Sequence, residues 1–126
     1  MNRNRKYILL AFILTLGLAH ATKASVTIQN NVLFNKLTVY YTTQKYNAGG
    51  SMQERNQHMN IEYGDPQILT FEPDLTKPIR WIMTNEKEKR KGGINTFPAK
   101  TSKIIFYNTW YAWFDKGNKE LGKKRY

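Results

Sequence analysis

The 126-residue sequence predicts an all-β protein, a single small antiparallel β-sandwich or small barrel carried behind a leader segment. Three observations support that expectation. Short runs rich in β-branched and aromatic residues alternate their side chains with a period of two, as half-buried strands do. Gly, Pro, Asn and Asp signals separate these runs. No internal repeat, low-complexity run or long linker divides residues 25–126, so about 100 residues share one core.

The chain opens with MNRNRKYILLAFILTLGLAHATKAS. Arg3, Arg5 and Lys6 form a positive n-region, and residues 7–22 then run without a formal charge. Ala19-His20-Ala21 and Thr22-Lys23-Ala24 each place small residues where a signal peptidase reads them. Sixteen residues between charges are short for a membrane span. Residues 1–24 are therefore expected to be a secretory signal peptide cleaved near Ala21 or Ala24, making the protein secreted or periplasmic. The absence of cysteine excludes a lipoprotein anchor, disulfides and thiolate metal sites, so apolar burial must stabilise the fold. Twelve asparagines include no Asn-x-Ser/Thr acceptor, and the Lys, Asn, Ile and Tyr bias suits an A·T-rich bacterial genome.

The strands are expected in this order. SVTIQNN sets Val26 and Ile28 against Thr27 and Gln29, and KLTVYYTT sets Leu37, Val39 and Tyr41 against Thr38, Tyr40 and Thr42. NAGGSMQERNQ reads as a loop with a short helical turn, because Ser51 precedes Glu54 at capping-box spacing. HMNIEYG is a strand closed by a turn at Gly64-Asp65-Pro66. QILTFEP and IRWIMTN follow as strands, and NEKEKRKGG reads as a charged hairpin loop. KIIFYNTWYAWF is the last and longest run. The stretch YGDPQILTFEP, a glycine-containing turn feeding a short strand with an aromatic end, bears a general similarity to immunoglobulin-like bacterial modules, at the level of architecture rather than of a family.

The aromatic run admits two readings. Six of the nine residues from Phe106 to Phe114 are aromatic. As one extended strand it would bury one row and leave Tyr107, Tyr111 and Trp113 facing outward as an aromatic platform. A bulge or turn at Asn108-Thr109 would instead split it and let both rows turn inward. Charge adds a second asymmetry. Residues 25–126 carry 16 basic and 9 acidic residues, a net of +7, yet residues 25–83 sum to zero, so the excess lies within 84–126.

Catalytic chemistry finds little support. The mature chain has one histidine, His58, with no G-x-S-x-G elbow, no phosphate-cradling glycine loop and no H-E-x-x-H. Glu54, His58 and Glu62 are spaced by four, but period-two alternation after His58 argues against one helical face. No enzymatic activity, metal or cofactor is expected. The expected function is binding: an effector- or adhesin-like protein engaging an anionic membrane surface, phospholipid headgroup or glycan. The expected ligand-binding aromatics are Tyr107, Trp110, Tyr111 and Trp113. The expected basic contacts are Lys87, Lys89, Arg90, Lys91, Lys116, Lys119, Lys123, Lys124 and Arg125. Two alternatives are a protein-interaction or membrane-active toxin-like module docking through the aromatic strand, and a small hydrolase centred on His58. A nucleic-acid partner is not expected, because export and the absence of a reader motif both argue against it.

Overall fold

The alternating runs do form strands. The computed structural model describes residues 25–64, 67–87 and 89–126. The expected signal peptide, two positions of the Gly64-Asp65-Pro66 turn and Glu88 lie outside the described residues. Among the described residues the protein is all-β, without a helix. Its strands are β1 (Val26–Asn30), β2 (Lys36–Tyr46), β3 (Met52–Glu62), β4 (Ile68–Phe71), β5 (Ile79–Thr84), β6 (Arg90–Asn95), β7 (Lys103–Phe106), β8 (Trp110–Phe114) and β9 (Glu120–Arg125).

They form two sheets, ordered β4-β1-β7-β8-β9 and β3-β2-β5-β6. Pairing is antiparallel except between β1 and β7, where Ile28 lies opposite Ile104 in a parallel ladder. The fully antiparallel expectation is corrected there. The chain builds the whole four-stranded sheet between these strands, and so long a connection permits a parallel return that a hairpin does not.

One core lies between the sheets. Val26, Ile28, Ile104, Phe106 and Tyr111 come from one sheet, and Leu37, Val39, Ile61, Trp81 and Met83 from the other. Trp81 is central: its ring lies 5.3 Å from Phe106, 5.5 Å from Tyr111 and 5.0 Å from Tyr126, all edge-on or tilted. Such pairs contribute about 0.5–1.5 kcal/mol each beyond burial, and here they join β5 to the β7–β9 half of the other sheet.

Three local expectations are corrected. The segment expected as a loop with a helical turn is instead a tight turn at 47–51, and β3 pairs with β2 from Tyr46↔Met52 to Lys36↔Glu62. Gly50 supplies the positive φ, 80°, that this turn needs. Eleven consecutive ladder pairs outweigh one capping signal. The charged loop after β5 is shorter than expected. The Asn85 side-chain carbonyl accepts from the Lys87 and Lys89 backbone N–H groups, at 3.0 and 2.9 Å, closing the turn so that Arg90 already pairs with Thr84. The basic tail is an edge strand, β9, set up in the same way by Asp115, which accepts from the N–H groups of Gly117 and Lys119 at 2.9 Å.

Candidate functional site

The aromatic run splits, as the second reading anticipated. The Tyr107 N–H donates to the Trp110 carbonyl, closing a hairpin with Asn108 and Thr109 at its tip. Phe106 then lies opposite Tyr111, and Ile104 opposite Trp113. Partners in register share a sheet face, so Tyr111 joins Phe106 in the core at 2% exposure, and Trp113 packs against Phe97 with ring centres 5.2 Å apart. Burial pushes the Tyr111 hydroxyl pKa up.

The hairpin does not bury every ring. Alternation places Lys103 and Ile105 of β7, and Tyr107 just after it, on the outer face of the five-stranded sheet, together with Trp110, Ala112 and Phe114 of β8. Contacts across that face agree. Tyr107 and Trp110 stack at 4.2 Å with 21° between ring planes, and Lys103 Nζ lies 5.4 Å over the Phe114 ring. Arg125 is the register partner of Trp110, and Lys123 that of Ala112, so both cations project onto the same face. Ile68 of β4, 51% exposed, extends the surface on its far side through Gln29. Glu120, opposite Phe114 beyond a bulge at Trp113/Phe114, stands at one end.

Of the aromatic residues expected to bind, Tyr107 and Trp110 thus line an outer surface, while Tyr111 and Trp113 turn to the core side. Among the basic residues, Lys123 and Arg125 join the aromatic pair. Lys116 and Lys119 occupy the β8–β9 turn, at the end of the sheets marked by Phe97 and Trp113. Lys87 and Lys89 lie in the β5–β6 turn at the opposite end, beside Phe34 and Asn35. Arg90, paired with Thr84, belongs to the outer face of the four-stranded sheet. Lys91 and Lys124 lie on edge strands opposite the core residues Met83 and Tyr111. Lys103 was not anticipated, although its alternation with Ile105 and Tyr107 in KIIFY marks the same face; its ammonium also donates to Asn118 Oδ1 at 2.9 Å.

Compared with family models, curated proteins and solved structures, the chain matches none. Function must be read from the surface itself.

The expected separation of Glu54 from His58 and Glu62 arises differently than proposed. All three lie on β3 and on one face of it, but at about 3.3 Å per residue consecutive members stand roughly 13 Å apart. Glu54 is instead paired with Lys77 at 3.0 Å. Among the described residues no three His, Asp or Glu side chains are grouped as metal ligands.

Proposed function

We propose that the chain is a β-sandwich binding domain, immunoglobulin-like in general architecture, that docks the outer face of its five-stranded sheet on an anionic surface. Its partner would be a phospholipid headgroup layer or an acidic glycan, and the domain would act outside the cytoplasm after loss of residues 1–24. The observation that carries this reading is the stacked Tyr107–Trp110 pair with Arg125 in register beside it. Two flat rings supply apolar contact area with polar edges, and the neighbouring cations supply Coulomb attraction to phosphate or carboxylate. Ile68, Ile105 and Phe114 continue the apolar component, while Lys103 and Lys123 continue the cationic one. Each lysine or arginine close to an anionic membrane contributes about 1 kcal/mol, so three cations spread along one face give usable affinity.

The test is co-sedimentation with vesicles containing phosphatidylserine, and in parallel binding to an immobilised sulfated polysaccharide, both titrated with salt. The expected result is binding at low ionic strength that weakens as salt rises and is lost with Trp110→Ala. Failure to bind either probe at low salt overturns the reading. So does binding that Trp110→Ala leaves unchanged. Which arm responds identifies the source of the anion.

A further inference from the structure

The opposite outer face has a different character. On the four-stranded sheet the outward row reads Lys36, Thr38, Tyr40 and Thr42 on β2, and Asn56, His58, Asn60 and Glu62 on β3. It continues with Arg80, Ile82 and Thr84 on β5, and Arg90 and Ile94 on β6. Register brings Tyr40 between His58 and Arg80. The Arg80 guanidinium carbon sits 4.4 Å from the Tyr40 ring centre, and the His58 ring lies 5.9 Å from Tyr40 on the other side. Stacking of this kind fixes the guanidinium plane on a residue that would otherwise sweep freely, and leaves its N–H groups for an outside acceptor.

Two depressions flank this trio. One, of about 290 Å³, is bordered by Lys36, Thr38, His58, Asn60, Thr84 and Arg90. The other, of about 340 Å³, lies beside Arg80, Asn56 and Ile94, and both share Tyr40. The Thr38 hydroxyl donates to Asn60 Oδ1 at 2.8 Å, which orients the Asn60 amide. Charge on the face is lopsided. Among the described residues, Lys36, Arg80 and Arg90 stand against Glu62, because Glu54 is engaged with Lys77.

We propose that this face is a second binding site, for an acidic saccharide of the uronate class, independent of the aromatic–cationic face. The chemistry selects the occupant. A protein or lipid partner needs an apolar centre, and among the described residues the only aliphatic side chain bordering the first depression is Ile82. Hydroxyls, amides, an imidazole and a tyrosine edge instead match the dense hydroxyl pattern of a sugar. The cations match its carboxylates, with Arg80 serving the second depression and Lys36 and Arg90 the first. Residues 80 and 84 on β5 are roughly 13 Å apart along the strand, so the cationic positions are spread over the length of a short oligosaccharide rather than a single ring.

The experiment is a titration of the full chain with oligogalacturonate, followed by amide chemical shifts and by calorimetry, with a neutral cello-oligosaccharide as control. Binding of the acidic probe only, with shifts on the outer residues of β2, β3, β5 and β6 that persist when Trp110 is replaced by alanine, is the expected result. Arg80→Gln should weaken it roughly tenfold, the loss of one charge-assisted hydrogen bond, with melting temperature unchanged. Trp110→Ala should leave it intact. Equal binding of the neutral probe, shifts on β7–β9 instead, full affinity in Arg80→Gln, or no binding by folded native protein would each overturn the proposal. Loss of vesicle binding in Trp110→Ala with saccharide binding retained would separate the two faces.

Discussion

Replacing Gly93 by alanine probes how firmly the central tryptophan is held. Gly93 on β6 lies opposite Trp81, and a Cβ built there would stand 3.0 Å from Trp81 Cζ2 and 3.1 Å from Cε2 and Nε1. Carbon atoms pack comfortably at about 3.5–4.0 Å, so the indole would have to retreat by roughly half an ångström. It has little room to do so. Trp81 is 2% exposed and faces the rings of Phe106, Tyr111 and Tyr126 across the core. Overpacking of this kind costs about 1–3 kcal/mol. Reduced freedom of the unfolded chain offsets about 0.4–1 kcal/mol of that, leaving a net loss of about 1.3 kcal/mol at mid-range. In a domain of this size the melting temperature should fall by about 5–10 °C. Calorimetry measures the fall, and near-ultraviolet circular dichroism should report a displaced indole. A double-mutant cycle with Trp81→Phe should show favourable coupling, because the smaller ring makes room for the methyl group. A Gly93→Ala protein as stable as the parent, with no coupling to position 81, would refute the packing argument.

Asn30 offers a test of a different kind. Its buried amide donates to the carbonyls of Asn35 and Ile61 at 2.9 Å each and accepts from the Val32 N–H at 3.0 Å, joining the end of β1 to β3. Asn30→Leu strands those groups and should cost about 3 kcal/mol in urea unfolding; a loss below about 1 kcal/mol would show that other partners replace the amide. Alkaline pH should destabilise the fold. Burial raises the hydroxyl pKa of Tyr126, Tyr111 and Tyr41 above the ordinary 10.0, so the unfolded chain releases these protons first. Their contribution is intact below pH 10 and lost as pH rises through the folded values, and urea midpoints at about pH 8 and about pH 11 measure it. Tyr126→Phe should make the alkaline loss shallower, though it also removes the hydroxyl that donates to the Tyr107 carbonyl.

Period-two alternation identified β1, β2, β4 and β5 because each buries one row against a single core, which leaves the pattern clean in SVTIQNN and IRWIMTN. It missed the outer half of β3. There, residues 52–58 are all exposed, so no burial contrast exists to read; only pairing with β2 makes that segment a strand. The same limit hid β9, whose exposed Lys123, Lys124 and Arg125 resemble a tail until β8 supplies a ladder. Aromatic content located the candidate surface in the sequence, but not which rings belong to it. That was decided by two residues, Asn108 and Thr109, whose turn shifts the parity of everything after them.

Charge illustrates the same point in three dimensions. Along the chain, the whole excess of +7 falls in residues 84–126. Folding disperses it over two opposed faces and two opposed ends, with Arg125 and Lys123 left on the Tyr107–Trp110 side of the aromatic face and Lys103 at its Phe114 end. The length of β8, five residues, separates that pair from the Lys116 and Lys119 turn by roughly 17 Å, about twice the Debye length in physiological salt. Neutralising Lys123 and Arg125 to glutamine should therefore weaken binding to anionic vesicles roughly 30-fold, at about 1 kcal/mol for each cation. Neutralising Lys116 and Lys119, which removes the same net charge, should change it less than about threefold. If both pairs reduce binding equally, the protein responds to its total charge, and the arrangement of cations around the stacked rings has no part in recognition.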